Sequence, residues 1–585
     1  MKRLLASTTM FLSAAALSGL LAGCGAPAAP PAQEAAAPVS AAAPVAAPAP
    51  PAAAGEPEFD RENTRTISGG GAATPVHGDW ILRRIPAESP HLNPITSTDG
   101  YASIMEQHVF DSLTDVHPET LESIPHVAKS WEIAEDRLTY TFHLRDDVKF
   151  TDGTPLTAHD VKFTFDKMMD KDVDAAHYRS YFVSVSACET PDDYTVIFRC
   201  TEPYWLHLVY LGGLPILPRH IYGEGDFNNH PNARSPIGSG PYKLTQWDSG
   251  QQVELARNEN YWGAPEGKGG WIDKWIMKFI TDDNAALEVL ISGGLDYMVM
   301  TPDQWTRRAN TEKFNEGFNK LQFFTPFYNY LGWNSRLPQF EDKRVRRALT
   351  MLLDRETIRQ TIFHGLAQSM VANFLPGTPE FHPDLKPLPF DPAAAQTLLD
   401  EAGWIDTNGN GIRDKDGVEF KFELVTLNSS PEIERLCTVH KEELARAGIE
   451  MELRLLEWAV LIEKIHGRDF QAYALGWSMP PFPDLHQLWH SSNAENGSNY
   501  IGFKNEEADK LIEESRREFD RDARIAMFRR FQEILHEEQP YTFLYAPMSL
   551  VAVDKRVENT IVYPLLRTRP YLEWFVPSEQ QRYGK

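Results

Sequence analysis

WEIAEDRLTYTFHLRDDVKFTDGTPLTAHDVKFTFDKMM, residues 131–169, holds three kinds of local order in one run. Leu138, Tyr140, Phe142 and Leu144 alternate with Thr139, Thr141, His143 and Arg145, the period-two pattern of a half-buried strand. Val148 and Phe150 prolong the pattern, and Asp152-Gly153 supplies a turn. Thr157-Ala-His-Asp160 then reads as a capping box, with Thr157 at the N-cap and Asp160 reaching back to it. Val161, Phe165 and Met168 follow at helical spacing. Strand, turn and helix in this order predict an α/β layer.

Around this unit the chain has 585 residues, enough for one large two-lobed body or several domains. Asp and Glu number 82 against 57 Lys and Arg, a net charge of −25 that argues against nucleic acid and anionic membrane surfaces as partners. The sequence has no G-x-S-x-G and no H-E-x-x-H. The one Walker-like run, Gly263 to Gly269, has the wrong spacing and no hydroxyl after Lys268. No nucleophile–base pair or metal triad can be assembled, so an exported enzyme is the weaker reading.

The first 24 residues form a targeting segment. Lys2 and Arg3 precede an apolar run from Leu4 to Leu20, and Leu21-Ala22-Gly23-Cys24 has the form of a bacterial lipobox, in which the cysteine is lipidated. Residues 25–76 are dominated by Ala, Pro and Gly and predict a disordered, semi-rigid tether. Cys188, Cys200 and Cys437 remain. Cys188 and Cys200 flank an expected hairpin turning at Pro191-Asp192-Asp193, out of register for a disulfide, and buried thiols are the favoured reading.

Nearly every position of the 131–169 run resembles the signature of the family 5 extracellular solute-binding proteins, receptors of ABC importers. His91-Leu-Asn-Pro94, Phe110-Asp-Ser-Leu113, Pro125 to Trp131, Ile237 to Leu244 and Phe323 to Ile358 are similar to family strings as well. The resemblance spans about residues 77–576. It implies a two-lobed α/β periplasmic-binding-protein fold of the Venus-flytrap type, with an extra subdomain in the first lobe. Expected boundaries are 77–280 for lobe I, 281–548 for lobe II and 549–577 for a return segment. It also implies a ligand that is a peptide or peptide-like solute (oligosaccharide, opine and metal chelate being alternatives), an ABC permease as partner, a monomer, no required cofactor, and an envelope location anchored through Cys24.

Candidate ligand-binding residues follow from the same resemblance. Gly238, Ser239 and Gly240 match a segment whose glycines let backbone approach a ligand, or else make a tight turn. Trp333 and Asn334 stand where the family strand reaches the cleft, with core packing as the alternative. Trp477 and Ser478 match a G-W string at the cleft wall, where an indole offers a stacking face. In the oligopeptide and dipeptide receptors an aspartate three residues after that tryptophan meets the peptide's ammonium group. Here Pro480 stands there, and Asp484 is the first acid beyond it. Either Asp484 swings in, or the ammonium site is lost.

Two metal readings come from the residues alone. Asp406, Asn408, Asn410 and Asp414 occupy positions 1, 3, 5 and 9 of an EF-hand-like loop with Gly411 at position 6. The closing glutamate is missing, so the loop is either a structural Ca²⁺ site or an Asx-rich turn. His486 and His490 are four apart, as a metal pair on one helix face would be, but no third ligand is evident.

Overall fold

The computed structural model describes residues 66–68, 74–118, 120–179, 181–324, 326–376, 378–479, 482–562 and 572–584. The targeting segment with Cys24, most of the expected tether, and Pro480 lie outside them. Thr66–Ser68, inside the expected tether, pairs antiparallel with Thr560–Val562 and is therefore strand. No helix among the described residues is long and apolar enough to cross a membrane.

The run at 131–169 folds as its pattern predicts except beyond Leu144, where the strand ends and Val148 and Phe150, though buried, flank only an isolated bridge between Lys149 and Pro155. Strand Thr139–Leu144 buries every second residue, Gly153 takes φ +92° in the turn, and helix Ala158–Met169 begins with the Thr157 N–H donating to the Asp160 carboxylate at 2.9 Å. Ala128–Ile133, Thr139–Leu144, Thr195–Cys200 and Val185–Asp192 form a four-stranded antiparallel sheet in that order. This is the extra subdomain of the first lobe. Cys188 lies opposite Phe198, and Val185 opposite Cys200. Both cysteines, and Cys437, are free and buried, and burial pushes each thiol up to about 12.

The first lobe's main sheet has Trp80–Ile85 near its middle, with parallel Lys274–Phe279 on one side and parallel Tyr297–Val299 on the other. Tyr545–Asp554 lies between Tyr297–Val299 and Phe318–Phe324, antiparallel to both. Lobe I therefore runs on to Phe324, and the boundary expected at 280/281 is corrected to the link between Phe324 and Phe327. The helix Asp283–Ile291 only connects two strands of the same sheet; it packs Ala286, Leu287 and Leu290 beneath them.

The second lobe is a five-stranded sheet in the order Glu450–Leu456, Lys421–Leu427, Ala472–Ser478, Phe327–Trp333, Tyr541–Phe543. Its first three strands are parallel. Helices Lys343–Met351, Pro431–Arg446, Glu506–Arg517 and Arg521–Glu538 pack on its faces, and residues of these helices enter the lobe's two apolar clusters. The strand Tyr545–Asp554 starts beside Ala367–Ser369 and from Met548 onward lies against Phe318–Phe324, which makes the second crossing.

Buried charges fasten the chain's end to the first lobe. Arg556 pairs with Asp79 and, at 2.7 Å, with Asp296, and all three side chains are nearly inaccessible. Asp296 also accepts the Leu82 N–H, and Arg582 reaches Asp554 at 2.8 Å. Such a network is strongly destabilised by removing one member, because the others stay buried and uncompensated.

Candidate functional site

The two crossings fix which edges of the sheets meet. Phe318–Phe324 runs in the same direction as Trp80–Ile85, so Phe324 lies at the carboxyl edge of the first lobe's parallel strands. Phe327 lies opposite Ser478, at the carboxyl edge of the second lobe's parallel strands. The carboxyl edges thus face each other across a short link. In open α/β sheets this is where ligands bind, since unpaired backbone groups and helix N-termini collect there.

At the first lobe's edge, the Arg84 guanidinium donates to the carbonyls of Ile280 and Thr281 at 2.9 and 3.0 Å and pairs with Asp283 at 2.6 Å. Asp99 caps helix Gly100–Val109 by accepting from Tyr101 and Ala102. At the second lobe's edge stand Asn428, Glu457, Trp458, Trp477 and Ser478. Trp458 is 58% exposed, the most exposed aromatic side chain among the described residues, with Val460 and Leu455 exposed beside it in sequence. Sequence reasoning missed Trp458. The available signal was a tryptophan directly after a strand and at the first position of a helix.

Trp477 is half-buried, stacked on Tyr500 at 6.2 Å between centroids and 11° between planes, and its Nε1 donates to Tyr541 Oη at 3.4 Å. Ser478 beside it is exposed. These two end their strand at the carboxyl edge. Trp333 and Asn334 do not. Phe327–Trp333 is antiparallel to Ala472–Ser478, so its far end, opposite Ala472, points away from the carboxyl edge. Trp333 is fully buried with Nε1 donating to Thr542 Oγ1 at 3.1 Å, and Asn334 donates to the Phe470 carbonyl at 2.9 Å. Both are core residues.

Gly238 and Gly240 need their missing side chains for a different close approach. A Cβ would stand 2.0 Å from the Val109 carbonyl oxygen at Gly238 and 2.5 Å from that of His108 at Gly240. Gly240 N–H donates to Val109 O at 2.8 Å, and Ser239 between the glycines is fully buried. The segment closes on the protein's own helix end, not on a solute.

Asp484 has found partners across the cleft. Its carboxylate accepts Tyr204 Oη of the first lobe at 2.5 Å and pairs with Arg516 at 3.2 Å, with 2% of the side chain exposed. Around it Tyr181 Oη donates to Gln487 at 2.5 Å, Arg517 pairs with Glu202 at 2.7 Å, and Trp205 N–H donates to the Arg516 carbonyl at 3.1 Å. Arg524 lies 3.8 Å over the Trp205 ring. Together these contacts join the extra subdomain's side of lobe I to helices of lobe II and hold the lobes together. Tyr204, which sequence did not single out, is the centre of the set. Burial raises its phenol well above the usual value, so it stays a donor.

The metal readings take a concrete form. Asp406 accepts from the backbone of Gly409, Asn410 and Gly411, Asn408 from Asn410, and Asn410 from Ile412, while Asp414 turns to Thr407. The loop's oxygens are engaged in Asx turns. The His486 and His490 rings are stacked at 4.4 Å, and burial, with Arg516 and the neighbouring histidine, lowers His486 to about 4. No group of three or more His, Cys, Asp or Glu side chains suited to a metal occurs among the described residues.

Residues 122–499, more than half of the chain, match the family model described as bacterial extracellular solute-binding proteins, family 5 middle. The oligopeptide-binding protein AppA of Bacillus subtilis is 33% identical over 502 residues, 83% of this chain and 89% of that protein. Its solved structure in complex with a nonapeptide superposes with a TM-score of 0.79 at 31% identity, covering 86% of this chain and all of the other. NikZ of Campylobacter jejuni, solved with Ni(L-His), gives a TM-score of 0.73 at 25% identity, covering 85% of this chain and 99% of that one. The two lobes, the paired crossings and the facing carboxyl edges therefore have one common source: the chain belongs to the bacterial extracellular solute-binding proteins, family 5.

Proposed function

We propose that this protein is the peptide-binding receptor of an ABC importer, and that it delivers a peptide held between its lobes to a membrane permease. The observation that carries this is the pair of facing carboxyl edges, joined by two crossings and furnished with Trp458, Trp477 and Ser478, in a chain similar along most of its length to an oligopeptide-binding protein. Strand-end backbone groups suit an extended peptide's main chain, and the indoles suit its side chains. Ligand acts by population shift, since only the closed form offers contacts from both lobes at once. The role requires no covalent chemistry and no cofactor. Lipid on Cys24 tethers the receptor at the cell envelope, and Cys24→Ser releases it from membranes. Retention of the variant in the membrane fraction, with no labelled palmitate entering the wild type, would exclude the tether.

Because Asp484 is committed to Tyr204 and Arg516, it offers no open carboxylate to a peptide ammonium group. Calorimetry with a bound peptide and its N-acetylated form is expected to give affinities within about threefold of each other, under 1 kcal/mol. The same peptide makes the protein more compact in solution scattering. A hundredfold loss on acetylation, about 2.7 kcal/mol, would show a carboxylate meeting the ammonium. An unchanged radius of gyration on saturation would remove the closing motion.

A further inference from the structure

Beneath the second lobe's carboxyl edge is a recess of about 70 Å³ walled by Phe374, Leu375 and Leu488. Pro326, at the crossing between lobes, and the exposed Ser478 line its edge side. One water needs roughly 10–15 Å³ on this measure, so the space takes several non-hydrogen atoms. Two polar atoms among its lining residues have no hydrogen-bond partner among the described residues: Tyr328 Oη, on a fully buried side chain, and the buried Asn373 Oδ1. Buried polar groups are nearly always paired, because an unpaired one keeps its full desolvation penalty. Both atoms belong to residues that line one apolar recess bordering the cleft, so the wall of that recess carries two buried hydrogen-bonding groups without partners among the described residues.

We propose that this recess is a specificity pocket for one side chain of the bound peptide, and that it selects a neutral side chain ending in an amide or hydroxyl. Asn373 Oδ1 requires a donor, and Tyr328 Oη donates or accepts. A glutamine amide satisfies both, with its NH₂ on Asn373 and its carbonyl on Tyr328. An aliphatic tip leaves both atoms unpaired. An anionic tip finds no cationic side chain among the lining residues, whose only charged members are Asp484 and Glu380. A cationic tip gains little, because Asp484 is already held by Arg516 and Glu380 lies 3.4 Å from Arg521. The proposal rests on the peptide-receptor reading and names the residue class that reading leaves open.

The test uses the full-length protein and soluble alanine-rich nine-residue peptides, the length seen bound to AppA. Each carries one glutamine, leucine or glutamate, moved through every position. At one position glutamine is expected to bind at least about tenfold tighter than leucine or glutamate, as for sites built to hydrogen-bond a substrate group. Tyr328→Phe and Asn373→Leu each reduce that ratio to about threefold or less without weakening the leucine peptide. If one variant fails to fold by its melting curve, the other and the wild-type ratios decide. Peptides that bind without discrimination at any position overturn the pocket and leave the receptor. A preference that survives both substitutions also overturns the pocket. Failure of every peptide, and of a tryptic digest offered in excess, overturns both readings.

Discussion

Asp484→Ala is expected to lower both the stability of the second lobe and the affinity for ligand. The carboxylate is buried between Arg516 of its own lobe and Tyr204 of the other, and it also accepts the His486 N–H at 2.9 Å. Removing it takes from Arg516 a carboxylate only 3.2 Å away, in a setting where 17% of the arginine side chain is exposed. Breaking a buried pair from one side costs about 3–5 kcal/mol, far more than the pair itself contributes. Tyr204→Phe separates the two consequences. Asp484 and Arg516 keep each other in that variant, and only the contact across the cleft is lost. A hydrogen bond to a charged group is worth about 1.5–3 kcal/mol, and here it exists only when the lobes are together. The closed population falls, and apparent affinity weakens roughly tenfold or more. Calorimetry and scattering on Tyr204→Phe check this. Binding within twofold of wild type at unchanged compactness would mean that the contact does not bias closure.

Glu106 is expected to make the fold less stable as pH rises from acid to neutral. It sits 8% exposed on helix Gly100–Val109, and its Oε1 has no hydrogen-bond partner among the described residues. Burial, helped by the Asp99 charge, raises its carboxyl from the ordinary 4.5 to about 8. Below 4.5 both folded and unfolded chains hold the proton, and the group is neutral in each. Between 4.5 and 8 the unfolded chain releases the proton while the folded one keeps it, so stability falls throughout this window. The slope of about 1.4 kcal/mol per pH unit gives a total loss of about 4–5 kcal/mol, an order-of-magnitude figure. Glu106→Gln removes the dependence, and its melting temperature should exceed that of the wild type increasingly from pH 5 to 8. Parallel melting-temperature profiles for the two proteins would refute the assignment.

What the sequence made legible was what neighbours in the chain determine. The alternation at Leu138–Leu144, the Thr157–Asp160 box and the Val161, Phe165, Met168 stripe depend on residues a few positions apart, and each formed where its pattern lay. Trp477 and Ser478 were readable because they end a strand at the edge that the resemblance assigned to the cleft. Trp333 was not, because its place depends on strand direction: an antiparallel strand carries its last residue to the opposite edge. The glycines at 238 and 240 signalled a close approach correctly, but their partner is the backbone at His108 and Val109, more than a hundred positions away. Asp484 looked like a free acid because Tyr204 stands 280 positions earlier. The lobe boundary was misplaced for a similar reason. Nothing local in Phe318–Phe324 says that its hydrogen-bonding neighbour is Tyr545–Asp554.

That last pairing bears on the order in which the molecule can be assembled. The strand Tyr545–Asp554 lies inside the first lobe's sheet, and Arg556 and Arg582 supply the counter-charges for Asp79, Asp296 and Asp554. A chain that emerges from its N-terminus must therefore hold the first lobe unfinished, with an open sheet edge and uncompensated aspartates, until Tyr545–Asp554, Arg556 and Arg582 arrive. The second lobe's five-stranded sheet is complete once Phe543 has emerged, and can close earlier. Long-range strand pairing is slow, and unpaired edges invite association. Truncation before Tyr545 should thus leave a folded second lobe attached to an aggregation-prone first one.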